Sequence, residues 1–186
     1  MHKLGQVGRD IYEKIAGRGK DESSNMPEVA WLGGIYQQYR RELFVTAWTT
    51  LRRADLAEDA VHTAFAKLIR LKSAPADPKL YVFRSVRNAA IDLARSRSRR
   101  REEPLQADWD APRLETTIRD DEASRSLAEL LERLDDTSRE VIELHLHAAL
   151  TFQEIAQMLC EPLPTVASRY RRALSRLRTE LKAPHE

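Results

Sequence analysis

Residues 137–178 read TSREVIELHLHAALTFQEIAQMLCEPLPTVASRYRRALSRLR, and this stretch decides the fold. It contains two Thr-x-x-Glu motifs, at residues 137–140 and 151–154, and each stands ahead of apolar residues. Such a motif is a capping box: the hydroxyl accepts from the third helical amide, and the glutamate accepts from the threonine amide. A third helix is predicted to begin at Pro164, because proline is favoured at the first helical position. The stretch is therefore predicted to form three consecutive helices.

The third of these helices is rich in arginine. Its arginines are Arg169, Arg171, Arg172, Arg176 and Arg178. A short helix, a tight turn and an arginine-rich helix are typical of a helix-turn-helix that binds duplex DNA. The pattern predicts a nucleic-acid partner.

Charge is distributed unevenly along the 186 residues, although the net charge is only +2. Five arginines fall within seven residues, at positions 95, 97, 99, 100 and 101. The following residues, 102–124, carry eight acidic residues and two arginines. This alternation of sign indicates basic surfaces separated by an acidic connector.

Apolar spacing predicts an all-α protein of two small helical domains joined by a flexible acidic linker. We expect an N-terminal extension at 1–27, a first domain at 28–101, the linker at 102–122 and a second domain at 123–182. In the first domain we expect helices at 29–51 and at 55–71, the second of them capped by Asp55. A third is expected to begin at Pro78, with Asp77 as its cap.

The sequence gives no indication of an enzyme, a metal or a cofactor. Cys160 is the only cysteine, so no intramolecular disulfide is available. His145 and His147 are two residues apart on a predicted helix, so their rings point to different sides. We find neither a phosphate-binding loop nor a nucleophile motif, and we expect no small-molecule substrate. With no apolar leader and no apolar run long enough to span a membrane, we expect a cytoplasmic protein.

Three segments together resemble the bacterial sigma-70 family. Residues 55–65 (DLAEDAVHTAF) resemble the region 2.2 helix, and residues 81–95 (YVFRSVRNAAIDLAR) resemble regions 2.3 and 2.4. Residues 139–177 are similar to region 4. A chain of this size with only regions 2 and 4 resembles the extracytoplasmic-function class.

The resemblance implies a sigma factor that binds core RNA polymerase, through the β′ clamp helices and the β flap, and promoter DNA. An anti-sigma factor is also an expected partner. The polymerase-binding residues it implies are Asp55, Glu58, Asp59, His62 and Lys67. Without the resemblance, acids at a helix start are explained by the helix dipole alone.

The resemblance also implies two sets of DNA contacts. For the minus-10 element they are Lys72, Arg84, Arg87, Asn88, Asp92, Arg95, Arg97 and Arg99. For the minus-35 element they are Thr165, Ser168, Arg169, Arg171, Arg172 and Arg176. Phe65, Leu68, Ile69 and Phe83 are expected in the core of the first domain, and Leu174 and Leu177 on a packing face of the second.

Two other functions stay open at this point. One is a self-sufficient helix-turn-helix regulator that binds duplex DNA as a dimer, which would not need residues 55–101 in this order. The other is an interaction module that binds no DNA. The sequence also departs from the family at Cys160, where a glycine is usual; if the turn there is left-handed, the cysteine carries strain.

Overall fold

The computed structural model describes residues 26–99 and 130–182. The expected N-terminal extension and acidic linker lie outside the described residues, apart from the last two residues of the extension. The chain divides into two units, residues 1–112 and 113–186. All regular elements of the described residues are helices, as expected: α1 Met26–Leu51, α2 Ala54–Leu68, α3 Pro78–Arg99, α4 Asp136–Leu146, α5 Phe152–Leu159 and α6 Leu163–Lys182.

The first unit is a bundle in which α1, α2 and α3 all pack against one another. Its core contains Phe65 and Phe83, which are fully buried as predicted. Tyr36 meets Phe65 edge to face with ring centroids 5.2 Å apart, and Tyr39 meets Phe83 at 5.9 Å. Truncating a buried phenylalanine of this kind to alanine costs about 3–5 kcal/mol. These two ring pairs attach α1 to both of the other helices.

The beginning of α2 differs from the prediction. Asp55 does not cap the helix: the cap position is Arg53, whose side chain makes no capping hydrogen bond. Asp55 lies in the first turn, and its carboxylate accepts from the Arg53 guanidinium at 3.0 and 2.5 Å. The helix also ends at Leu68 rather than near residue 71, and Leu68 is buried while Ile69 is only half-buried.

The beginning of α3 confirms the prediction. The Asp77 carboxylate accepts from the Leu80 amide at 3.0 Å, and Pro78 is the first helical residue. Proline has no amide hydrogen to leave without a partner, and an aspartate cap satisfies one of the remaining amides. The loop before α3 therefore ends at Asp77, as the sequence predicts.

The second unit is built on α4, α5 and α6. The predicted capping box at Thr137 is wrong: α4 begins two residues earlier, and its cap is Asp135. The Asp135 carboxylate accepts from the Ser138 amide at 2.9 Å and from the Thr137 hydroxyl at 2.6 Å. Asp135 occupies the cap position, two residues before Thr137. The Thr137 hydroxyl therefore donates to the Asp135 carboxylate instead of capping the helix itself.

The capping box at the start of α5 is confirmed. The Glu154 amide donates to the Thr151 hydroxyl at 3.2 Å, and the Thr151 amide donates to the Glu154 carboxylate at 2.8 Å. The helix after the turn, α6, begins at Leu163, one residue before the expected Pro164. The Pro162 carbonyl accepts from the Thr165 amide at 2.9 Å and closes its first turn.

The turn between α5 and α6 is left-handed at Cys160, with φ 57° and ψ 41°. The amide of Glu161 reaches back to the carbonyl of Ala156 at 2.9 Å. This is the hydrogen-bonding pattern of a helix C-terminus that glycine normally terminates. The condition raised for Cys160 is therefore met, and its side chain carries a steric penalty that glycine would avoid.

The core of the second unit joins the segment before α4 to both α4 and α6. Its buried members are Leu130, Leu134, Ile142, Ala173 and Leu177, with Tyr170 and Leu174 packed against them. The expected packing face of α6 is thus confirmed. None of the helices among residues 26–99 and 130–182 is long and apolar enough to cross a membrane.

Candidate nucleic-acid and protein interfaces

An open depression lies between α2 and α3. It is lined by Asp59, His62 and Lys67 from α2 and by Asp92 from α3. Ala60 and Ala89 contribute to the same lining, and these two small residues are buried. Three of the five expected polymerase-binding residues thus come together, and a fourth residue, Asp92, joins them although it was expected to contact DNA.

The other two expected polymerase-binding residues have different surroundings. Asp55 is paired with Arg53, and the hydrogen bond from that guanidinium holds the pKa of the Asp55 carboxyl below its ordinary value. Burial raises the pKa of the Tyr36 phenol, Arg40 lowers it in part, and the half-buried Glu58 lies near enough to add to the rise. Asp59 is more exposed than Glu58 and makes the more accessible charge.

The basic face of α3 lies opposite its buried face. Val82, Phe83 and Val86 are fully buried. The expected minus-10 residues on this helix are all at least partly accessible: Arg84, Asn88, Asp92, Arg95 and Arg99 are exposed, and Arg87 and Arg97 are half-buried. Lys72, in the loop before the helix, is also exposed. Arg84, Asn88, Asp92 and Arg95 thus share the accessible side of α3, whereas Arg97 lies nearer the side of Val86 and Ala90.

Aromatic side chains flank this stripe at the start of α3. Tyr81 is 41% exposed, in contrast to the buried Phe83 beside it. The ammonium of Lys79 lies 5.2 Å from the Tyr39 ring and 5.9 Å from the Phe83 ring. Cation–π contacts at such distances stabilise a lysine against an aromatic face. Sequence reasoning missed Lys79, because its aromatic partners come from another helix as well as its own.

The arginines of α6 differ in their contacts: two of them contact backbone carbonyls, and two others are paired with acids. The Nε atoms of Arg171 and Arg172 lie 3.4 Å from the carbonyl oxygens of Ala167 and Ser168, one turn earlier. Both side chains are exposed. Hydrogen bonds this long are weak, so these two guanidinium groups can turn toward a phosphate at little cost.

Two other arginines of α6 are paired with acids. Arg169 Nη1 lies 2.6 Å from Glu161 Oε2, in the turn before the helix. Arg176 Nε lies 3.4 Å from Glu180, which also contacts Arg133 at 3.3 Å. Sequence reasoning did not single out Glu161, Glu180 or Arg133. The i to i+4 spacing of Arg176 and Glu180 is a signal that could have found one of these pairs.

His145 is an aromatic packing residue. Its Nδ1 lies 2.8 Å from the Leu150 carbonyl oxygen, and its ring centroid lies 4.5 Å from Phe152 and 5.1 Å from Tyr170. The contact connects α4 to the beginning of α5 and to α6. Among the described residues, no cluster of histidine, cysteine and acidic side chains could hold a metal ion.

Comparison with known proteins identifies both units. Residues 35–100 match the family model described as Sigma-70 region 2, and residues 130–179 match Sigma-70, region 4. The two matches together cover more than half of the chain. They include the α2–α3 depression, the basic face of α3 and the helix-turn-helix of α5 and α6.

Two relatives agree with these matches. A 59-residue stretch is 44% identical to the ECF RNA polymerase sigma factor SigK of Mycobacterium ulcerans (strain Agy99) and spans 32% of each chain. The fold is similar to that of the sigma factor RpoE of Bartonella quintana, solved with the anti-sigma factor NepR. That match has a TM-score of 0.57 and 20% identity, and it covers 81% of this chain and 96% of the other.

The two helical units correspond, in this order, to regions 2 and 4 of sigma-70 proteins. The chain belongs to the sigma-70 family, and part of it is similar to a sigma factor of the extracytoplasmic-function class. Members of this family are initiation factors rather than enzymes.

Proposed function

We propose that this chain is an alternative sigma factor. Its first unit binds core RNA polymerase and the minus-10 element, and its second unit binds the minus-35 element. The observation that carries the proposal is that regions 2 and 4 occur in order and each presents an exposed polar face. In this role the chain acts in the cytoplasm, where polymerase and promoter DNA are found.

The polymerase-binding surface in this proposal is the α2–α3 depression. Asp59 and Asp92 contribute two exposed carboxylates to its lining, beside the buried Ala60 and Ala89. A carboxylate next to a DNA phosphate is repelled, whereas a cationic side chain of a protein partner is attracted to it. We therefore assign Asp92 to the polymerase contact together with Asp59, His62 and Lys67, and the expected partner is the β′ clamp helices.

The basic face of α3 is proposed to hold the unpaired strand of the minus-10 element. Arg84, Arg95 and Arg99 are exposed along one helix and can follow successive phosphates. Asn88 lies among them and offers both a donor and an acceptor for a base edge. Lys72 approaches the same strand from the loop before the helix.

The helix-turn-helix is proposed to bind the minus-35 duplex. Residues near the beginning of a recognition helix contact base edges, and arginines beside them contact phosphate. Thr165 and Ser168 are at such positions, and Arg171 and Arg172 are the exposed flanking cations. The β flap of the polymerase is the expected partner that keeps this unit at the promoter.

The self-sufficient regulator is the second candidate, and the region 2 match over residues 35–100 argues against it, because a simple regulator has no use for that unit. The RpoE structure contains an anti-sigma factor. We propose by analogy that this chain, too, is held inactive by an anti-sigma protein that covers its polymerase-binding surface.

Reconstituted transcription tests the proposal. The full chain is added to purified core polymerase with a template that carries the DNA upstream of its own operon, and run-off transcripts are measured. Initiation that depends on both components is expected. Binding of the free chain to the same DNA as a tight dimer, with no transcript in the presence of core enzyme, would favour the self-sufficient regulator.

A further inference from the structure

Glu161 lies in the turn of the helix-turn-helix, two residues before α6 begins. Its Oε2 atom is 2.6 Å from Nη1 of Arg169, and only 29% of the Glu161 side chain and 22% of the Arg169 side chain are exposed. The same oxygen is buried and has no aligned hydrogen-bond donor, so its contact with Arg169 is an ion pair of opposite charges rather than a hydrogen bond. Arg169 is therefore the cationic partner of the Glu161 carboxylate.

This ion pair makes it unfavourable for the Arg169 side chain to turn away from Glu161. If its guanidinium turned to a DNA phosphate, a mostly buried carboxylate would be left without its cation. Breaking a buried pair by removing one partner is strongly unfavourable, because the remaining charge is uncompensated. Arg171 and Arg172 have no such restraint among the contacts described above, since they touch only backbone carbonyls at 3.4 Å.

We propose that Glu161 is a specificity-determining residue of the DNA-binding surface, which withholds the charge of Arg169 from the phosphate backbone. The inference rests on the proposed function of this unit as a duplex-binding module. Binding to phosphates is independent of sequence and grows with the number of cations that can reach them. Because Glu161 holds the Arg169 guanidinium, this cation adds little to the affinity for duplexes of any sequence. Contacts to base edges then account for a larger share of the total affinity.

A purely structural role for Glu161 leads to a different expectation. If the ion pair only holds the turn together, its removal loosens the recognition helix and weakens binding to every duplex. If the pair withholds a cation, its removal strengthens binding to unrelated sequences and makes that binding more sensitive to salt. The sign of the change in affinity separates the two roles.

The experiment uses the full-length chain and its E161Q variant. Fluorescence anisotropy measures binding to a duplex of random sequence, and to a duplex that the wild-type protein with core polymerase has selected from a randomised pool. Both titrations are repeated over a range of salt concentrations, with and without core polymerase. D136N is the matched control: it also removes one negative charge from the second unit, but its cationic partner is Arg139 on α4.

We expect E161Q to bind the random duplex more tightly than wild type and to lose discrimination between the two duplexes. Its log–log salt slope should be steeper by about 0.9, the value for one additional phosphate contact. The double variant E161Q/R169Q should return to the wild-type slope, because the released cation is then absent. D136N should retain the wild-type discrimination.

Three results would overturn the proposal. E161Q and D136N could behave alike, or E161Q could bind both duplexes more weakly than wild type. The third is that the protein binds no duplex, with or without core enzyme. Failure of the proposed sigma activity is a separate result. In that case wild type and core polymerase yield no transcript, while the change in salt slope of the free chain remains measurable.

Discussion

Arg176 and Glu180 form an ion pair one helical turn apart on α6, with 3.4 Å between Nε and the carboxylate. Arg172, one turn earlier, contacts the backbone carbonyl of Ser168, also at 3.4 Å. Both arginines are exposed and were assigned to the same DNA contact from the sequence. Among the described contacts, Arg172 thus meets a neutral carbonyl, whereas the charge of Arg176 is partly neutralised by Glu180.

Arg172→Ala is therefore expected to weaken binding of the holoenzyme to the minus-35 duplex and to reduce its log–log salt slope by about 0.9. Arg176→Ala should reduce the slope by less, because Glu180 already offsets part of its charge. Filter binding of the holoenzyme at several salt concentrations measures both slopes. Equal losses in the two variants would show that the Arg176–Glu180 pair opens fully on DNA, as exposed pairs contribute little energy.

Asp59→Asn and Asp92→Asn are each expected to weaken binding to core polymerase, since the two carboxylates share one depression. If they face the same cationic group of the partner, the double variant should lose less affinity than the sum of the single losses. Surface plasmon resonance with immobilised core enzyme measures these affinities, and Glu132→Gln, an exposed acid of the other unit, is the control. Should Asp92→Asn leave core binding unchanged and alter only DNA binding, Asp92 would return to the minus-10 set.

Asp135→Ala is expected to destabilise α4 by about 1 kcal/mol at neutral pH, the usual cost of removing a helix cap. Hydrogen bonds from the Thr137 hydroxyl and then from Ser138 hold the pKa of the Asp135 carboxyl far below its ordinary value. A lowered pKa in the folded protein stabilises it above the unfolded pKa of about 4, and this stabilisation is lost as the pH falls toward the folded pKa.

Hydrogen exchange of the α4 amides in the full-length chain, at pH 7 and at pH 3, measures this effect. The difference between Asp135→Ala and wild type should shrink at the lower pH. Asp136→Ala serves as the control, because its side chain is 91% exposed and does not cap the helix. A difference that stays constant with pH would mean that the cap acts through its shape alone.

Cys160→Gly is expected to stabilise the helix-turn-helix by about 0.5–1 kcal/mol. Cys160 has a φ of 57°, and a non-glycine residue in this region carries a steric cost of about 1–2 kcal/mol, which the greater chain entropy of unfolded glycine partly offsets. Gln157→Gly, in the interior of the preceding helix, should destabilise by about 1 kcal/mol. Protease susceptibility of the second unit in the full-length chain compares the two; slower cleavage of Gln157→Gly than of Cys160→Gly would contradict the assignment.

Local signals in the sequence were sufficient for several elements. The cap formed by Asp77 ahead of Pro78 and the capping box of Thr151 with Glu154 were predicted, because each depends on residues within about four positions. Asp55 and Thr137 were assigned wrongly for the same local reason. The observed cap positions are two residues earlier, at Arg53 and Asp135. Which of two nearby residues takes the cap position depends on the backbone geometry, and the sequence pattern does not contain that geometry.

The sequence by itself determined that the protein is helical, that it has two regions in the sigma-70 order and which helix faces carry charge. These properties follow from the spacing of apolar and charged residues along a helix of known pitch. The tertiary structure alone decided which charges meet. Asp92 joins Asp59 because α2 packs against α3, and Arg169 is held by Glu161 because the turn brings the carboxylate back to the helix. Distances between elements depend on how their side chains pack, and no periodicity along one chain segment contains that information.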